Sequence, residues 1–160
     1  MKLRRVLPVV LFFAIGVPLH GQAPSQLEVN SLLTRASSAL DHYQQLAPGI
    51  HCENVGEPKF RDACTAATQT LIERVEEAKS QIALYRQQSK PQPADLFEAY
   101  EKFRRVLAVL EDVSYVDPDS YGDHNKQLFA EAYNSFVKVD IWFEGVVEAN
   151  IQNNAKCPDR

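Results

Sequence analysis

Four stretches of the chain carry apolar residues at steps of three and four, the spacing that places them along one face of an α-helix. The first lies between positions 25 and 47, the second covers 58–88, the third 93–114 and the fourth 123–151. The apolar positions are Val29, Leu32, Leu33, Ala36, Ala39, Leu40, Tyr43 and Leu46; Phe60, Cys64, Ala67, Leu71, Val75, Ala78, Ile82 and Tyr85; Leu96, Ala99, Tyr100, Phe103, Val106, Leu107, Leu110 and Val113; and Phe129, Ala132, Tyr133, Phe136, Val139, Phe143, Val146, Val147 and Ile151. No run of strict alternation, which is typical of a strand, competes with these helices.

Residues that begin and end helices flank these stretches. Ser25 followed by Glu28 forms a capping-box signal, Pro48 ends the first stretch, and Pro58 and Pro93 suit the first turn of the second and third helices. Because the connections are short, consecutive helices should turn back on one another. The sequence therefore predicts an all-α fold, an antiparallel up-down helical bundle of about four helices, two long and two shorter. Two successive helical hairpins would also satisfy the pattern.

The first residues differ from the rest of the chain. Lys2, Arg4 and Arg5 precede an apolar run over 6–17, and small residues follow near 21–23. This order is typical of a secretory signal peptide, and the run of about 12 apolar residues is shorter than the roughly 20 that span a membrane as a helix.

We therefore expect three segments: a signal peptide over 1–21 with cleavage near 21–23, a helical bundle domain over 24–151, and a flexible polar tail over 152–160. The protein should be exported, either periplasmic or secreted, without stable membrane insertion after signal cleavage.

The charge balance changes once the signal peptide is removed. Taking Lys2, Arg4 and Arg5 from the 17 basic residues leaves 14 against 21 acidic residues, a net charge of about −7 with neutral histidines. Such a chain repels phosphate, and its remaining basic residues alternate with Glu along the predicted helices. We therefore expect no binding to nucleic acid.

Three cysteines lie in the chain, and export would place them in an oxidising compartment. Cys52 and Cys64 fall near the junction of the first two helices, whereas Cys157 follows the far end of the fourth, some 40 Å away. We predict a Cys52–Cys64 disulfide that closes a loop of about 13 residues. Cys157 is left over, either idle or available for an intermolecular bridge.

Few residues carry metal or catalytic signals. The loop 117–122 begins like a calcium-binding loop, so Asp117, Asp119 and Asp123 are candidate ligands, but Tyr121 and Leu128 occupy positions where that loop needs oxygen ligands. A turn in which an acidic residue caps the fourth helix explains the same residues.

His42, His51 and His124 each stand alone in the sequence, without a His or Glu three or four residues away. No motif for haem, phosphate binding or hydrolysis is present, so we expect no cofactor and assign no catalytic residue.

Asp140 is the one acidic residue that interrupts an apolar helical face. A charge in that position needs a partner, and Arg74 lies at a similar height on the edge of the second helix. The sequence predicts a partly buried Asp140–Arg74 ion pair, with the alternative that Asp140 leans to the edge of the face and meets water.

The fourth helix is apolar on more than one side. Val137 and Ile141 lie one turn apart away from its main face, and Trp142 lies at the opposite border. This favours either a central helix with several neighbours or a partner or dimer surface. We expect a protein-interaction or structural module of the cell envelope, with a protein partner or self-association. The alternative is a bundle that binds a small molecule or metal near Asp140 and Tyr133 or in the loop 117–122, and an enzyme ranks third.

Overall fold

The computed structural model describes residues 23–114 and 121–155, and these residues form four long α-helices and no strand. The helices are α1 (Gln26–Leu46), α2 (Pro58–Gln87), α3 (Pro93–Ser114) and α4 (Asp123–Ala155). Between α1 and α2 lie two short 3₁₀ turns, Ala47–Gly49 and Cys52–Asn54. The all-α prediction is thereby confirmed. The fourth helix continues past position 151, where the sequence pattern predicted a frayed tail.

The helix starts follow the predicted signals. The Ser25 hydroxyl accepts a hydrogen bond from the Glu28 N–H, and the Glu28 carboxylate accepts one from the Ser25 N–H at 2.7 Å. This reciprocal pair satisfies two backbone donors that a helix start leaves without intrahelical partners. The bond from the Ser25 N–H, together with one that the Ser25 hydroxyl donates to the same carboxylate at 2.8 Å, lowers the pKa of Glu28. Pro58 and Pro93 occupy the first positions of α2 and α3, where a missing N–H costs nothing.

Each helix packs on two neighbours around one apolar core. α1 contacts α2 and α4, and α3 contacts the same two helices, so α2 and α4 lie diagonally across the bundle. The contacts between α1 and α2 show that these two helices are antiparallel. Asp41 pairs with Lys79, whereas Thr34, which precedes Asp41, accepts a hydrogen bond from Arg86, which follows Lys79. The largest fully buried side chains are Tyr43, Phe103, Phe129, Phe136, Phe143, Leu33, Leu40, Leu71, Ile82, Leu96, Leu110 and Val75, all from the predicted apolar faces.

A disulfide fastens the α1–α2 connection to the bundle. Cys52 and Cys64, which are 12 positions apart in the sequence, form a disulfide as predicted, with their Cα atoms 5.6 Å apart. Closing a loop of this size contributes about 3 kcal/mol by restricting the unfolded chain. The bridge holds the polar loop before α2 against that helix, close to the start of α4. Cys157 lies outside the described residues.

Candidate functional site

A polar junction joins the disulfide loop to the start of α4, and Asn125 is at its centre. Asn125 is only 4% exposed and is the one buried polar or charged residue among the described residues. Its Nδ2 donates to the carbonyls of His51 and Tyr121 at 3.2 and 3.0 Å, and its Oδ1 accepts from the His51 N–H at 2.8 Å. These bonds use both amide hydrogens, which explains how a primary amide is tolerated in the interior.

Two histidines meet on the surface of this junction. The rings of His51 and His124 lie nearly parallel, at 16°, with centroids 6.4 Å apart. His51 Nδ1 lies 3.0 Å from the Glu53 carboxylate, and His124 Nε2 lies 3.1 Å from the Gly49 carbonyl. Neither histidine has a His or Glu three or four residues away in the sequence, so local spacing gave no sign of this contact. They are 73 positions apart, so only the fold brings them together.

A shallow cleft of about 140 Å³ opens beside the histidines. Its walls come from the disulfide loop and from the start of α4, and they consist of His51, Asn54, Tyr121, Gly122, Asp123, His124 and Asn125. Gly122 adopts a positive φ of 76°, a conformation that disfavours other side chains, so the turn into α4 requires a glycine there. The cleft therefore combines two imidazoles with one carboxylate and two amides.

The predicted ion pair of Asp140 has a different partner. Arg74 pairs with Glu77 at 3.0 Å on its own helix, whereas Asp140 Oδ1 lies 3.8 Å from Nε of Arg104 on α3. The predicted Asp140–Arg74 pair was wrong because α2 lies diagonally opposite α4, and α3 lies beside it. Sequence spacing indicated where each charged residue lies along the bundle axis. It could not indicate the order of the helices around the core.

Arg104 compensates the charge of the Asp140 carboxylate only in part. The Asp140 side chain is 15% exposed, and Oδ1 is buried and receives no hydrogen bond from any described residue. Burial raises the pKa of Asp140 above its ordinary value, Arg104 opposes that shift, and the nearby Glu144 and Glu111 add to it. Arg104 also donates to the Tyr100 hydroxyl at 3.2 Å, so its charge is shared between two groups.

The bundle interior near Asp140 is filled with aromatic rings. Phe103 stacks on Phe136 with centroids 4.8 Å apart, and Phe143 contacts Phe103 at 5.6 Å and Tyr100 at 5.1 Å. Tyr133 is half-buried and packs against this core. The ligand pocket that the sequence suggested near Asp140 and Tyr133 remains a prediction.

The three surface candidates on α4 separate into two environments. Val137 is half-buried and packs against the core, whereas Ile141 is 69% exposed and Trp142 is 47% exposed. The guanidinium of Arg35, on α1, lies over the Trp142 ring at 5.1 Å from its centroid. We call Ile141, Trp142 and Arg35 the helix-four patch.

Of the three acidic metal candidates, only Asp123 lies within the described residues, so the proposed calcium site remains a prediction. Asp123 is exposed in the first turn of α4, and Asp117 and Asp119 lie outside the described residues. Within 23–114 and 121–155, no three His, Cys, Asp or Glu side chains are grouped so that they could hold a metal ion together.

In the same two segments, every helix is too short or too polar to cross a membrane. A comparison of the chain with protein-family models, with curated proteins and with solved structures found no match.

Proposed function

We propose that this protein is an exported helical module that binds another protein chain through the helix-four patch. The observation that carries the proposal is the exposure of Ile141 and Trp142 on a helix whose next residue, Phe143, is fully buried. Exposing a large aromatic ring on a well-packed bundle leaves apolar surface in water, which a partner could cover.

The patch differs from the other exposed apolar side chains. Seven large apolar side chains are exposed among the described residues, and two of them, Ile141 and Trp142, lie on one turn of α4, about 100° apart around its axis. Arg35 stacks on the indole ring, which restricts the ring before any partner arrives. Trp and Arg are the residue types most enriched where protein interfaces concentrate their binding energy.

Export is the second part of the proposal. The order of charges, apolar residues and small residues in 1–23 is typical of a signal peptide, and the Cys52–Cys64 disulfide is of the kind that persists in oxidising compartments. A disulfide-fastened bundle in the cell envelope or outside it would present the helix-four patch to other exported proteins.

Site-specific photocrosslinking tests the patch directly. A photoreactive amino acid at position 141 should give a discrete adduct in the producing cells, either with another protein or with a second copy of this chain. The matched control is position 84, because Leu84 on α2 is 51% exposed and similarly apolar. An adduct at 141 that disappears with Trp142→Ala supports the proposal; equal adducts at both positions, or none at 141, would contradict it.

A further inference from the structure

We propose that the partner at the helix-four patch is a second copy of this chain, whose α4 packs antiparallel on α4 of the first copy about a two-fold axis level with Phe143. This inference rests on the proposed binding through that patch and names its occupant. Three features of α4 support it: the direction its outer side faces, a glycine on that side, and the order of the charges along it.

The outer side of α4 faces away from the bundle. α4 packs on α1 and α3 and lies diagonally across from α2, so no other described helix covers the side opposite its buried residues. Steps of three and four place six positions along that side, and none of them is buried. We call these positions the outer row: Asn134, Lys138, Ile141, Gly145, Glu148 and Gln152. A second α4 can approach the outer row without displacing a described helix.

Gly145 leaves a hollow in the outer row. It follows the fully buried Phe136 by nine positions, about two and a half turns, and so lies on the opposite side of α4. A Cβ atom at Gly145 would meet no atom of the described residues within 4 Å beyond the adjoining backbone. Packing within the described chain therefore does not require this glycine, although glycine weakens the interior of a helix relative to alanine. A hollow of this kind lets a side chain of another helix sit close to the backbone.

Ile141 is the projection that matches the hollow. Its side chain is 69% exposed, and it lies one turn before Gly145. Position 143 is midway between the two, so an axis at that level sets Ile141 of each copy opposite Gly145 of the other. The same contact then forms twice, as in any interface in which two copies use the same surface.

The charges of the outer row favour the antiparallel direction. The same axis sets Lys138 opposite Glu148 and Asn134 opposite Gln152, which gives two ion pairs and two amide pairs per dimer. A parallel arrangement would set Lys138 against Lys138 and Glu148 against Glu148, and like charges in contact oppose association. Within the described residues neither Lys138 nor Glu148 forms an ion pair, so both are available to a second copy.

The dimer should be weak and reversible, because one helix of each copy forms the contact. We expect a Kd of about 1 to 100 μM. Trp142 is the only tryptophan of the chain and lies one position from the axis, so its fluorescence should shift to shorter wavelength as the dimer forms. Cys157→Ser should leave the dimer intact, since the contact needs no disulfide between copies.

Sedimentation of the processed protein over a range of concentrations tests the register through charge reversal. Lys138→Glu and Glu148→Lys should each raise the Kd by about tenfold or more, because each creates two like-charge contacts. The double variant Lys138→Glu with Glu148→Lys should return the Kd to within about threefold of the wild type. Glu98→Lys is the matched control, because Glu98 is exposed on α3 and its reversal changes the net charge by the same amount.

Gly145→Gln separates the interface from the stability of the fold. Glutamine favours a helix more than glycine does, so the midpoint of thermal unfolding should rise at concentrations where the protein is monomeric. The longer side chain fills the hollow, so the Kd of the dimer should rise by about tenfold or more. A role of Gly145 in the fold alone would not move these two readouts in opposite directions.

A wild-type protein that stays monomeric at millimolar concentration would overturn the proposal. Single reversals without effect, a loss that the double variant does not restore, or an equal loss in Glu98→Lys would also overturn it. The failure of the underlying binding has a separate sign, since position 141 would then give no photocrosslinked adduct in cells. An adduct there with a different protein would keep the proposed binding and overturn only the second copy as its partner.

Discussion

The Asn125 side chain satisfies both backbone polar groups of His51, accepting from its N–H at 2.8 Å and donating to its carbonyl at 3.2 Å. Since the same amide also donates to the Tyr121 carbonyl, one buried side chain connects the disulfide loop to α4. The bond from His124 to the Gly49 carbonyl and the two from Arg61 to the Val55 carbonyl add to this connection.

Asn125→Asp should therefore destabilise the fold strongly although it preserves the shape of the side chain. The new carboxylate would have no hydrogen to donate to the two carbonyls, and we expect a loss of about 2 to 4 kcal/mol in the free energy of unfolding. Urea denaturation at neutral pH measures it. Asn30→Asp is the matched control, because Asn30 is exposed and uses only its oxygen, as an acceptor from Gln26. A similar small effect of both substitutions would show that the Asn125 amide is not needed.

Replacing Asp140 should stabilise the protein at neutral pH. Burial raises the pKa of Asp140 above 3.8, so the folded chain keeps the proton at a pH where the unfolded chain has released it. The free energy of unfolding then falls as pH rises from the pKa of the unfolded chain to the higher pKa of the folded chain. Above that window, ionised Asp140 continues to destabilise the folded state. Asp140→Asn should gain on the order of 1 kcal/mol at pH 7, with the gain vanishing in acid.

Denaturation of both proteins from about pH 3 to pH 8 checks this dependence. The exposed Asp62 provides the control, because Asp62→Asn should change stability little at any pH. A pH-independent difference between wild type and Asp140→Asn, or a loss at pH 7 that shows Arg104 to be the dominant partner, would contradict the prediction.

The buried hydroxyl of Tyr43 is a second group that destabilises the folded bundle. Tyr43 is 1% exposed, and its hydroxyl has no hydrogen-bond partner within 23–114 and 121–155; burial raises its pKa strongly. Tyr43→Phe should raise the free energy of unfolding by up to about 1 kcal/mol, because it removes an unsatisfied polar group. Tyr100→Phe should have the opposite sign, since the Tyr100 hydroxyl accepts from Arg104. A loss in Tyr43→Phe by thermal or urea unfolding would indicate a bound water that the hydroxyl needs.

Val137 and Ile141 should respond differently to the same substitution. Val137→Lys places a charge against the core and should cost about 1 to 3 kcal/mol, whereas Ile141→Lys should change stability by less than about 0.5 kcal/mol. The comparison by urea denaturation separates core from surface on α4. Strong unfolding by Ile141→Lys would mean that this side chain is structural, and the helix-four patch would lose its main residue.

The helices and the disulfide could be predicted from the sequence because both depend on local signals. Ser25, Pro58 and Pro93 mark helix starts through backbone chemistry within a few residues, and apolar steps of three and four mark the buried faces. The Cys52–Cys64 pair followed from where those helices begin and end.

The details of the sites could not be predicted because they depend on the order of the helices around the core. Arg74 and Arg104 are both basic residues at comparable heights, and only the packing of α3 beside α4 selects Arg104 as the neighbour of Asp140. His51 and His124 approach each other only because the disulfide and Asn125 fold the α1–α2 loop against α4. No sequence spacing encodes either contact.

Native mass spectrometry of the processed protein, isolated from its own cell envelope, tests the proposed binding function most directly. We predict a complex whose mass exceeds that of one chain by a second protein chain, and its loss in Ile141→Lys while Leu84→Lys retains it. A bare single chain in the wild type, or a complex that survives Ile141→Lys, would contradict binding through the helix-four patch.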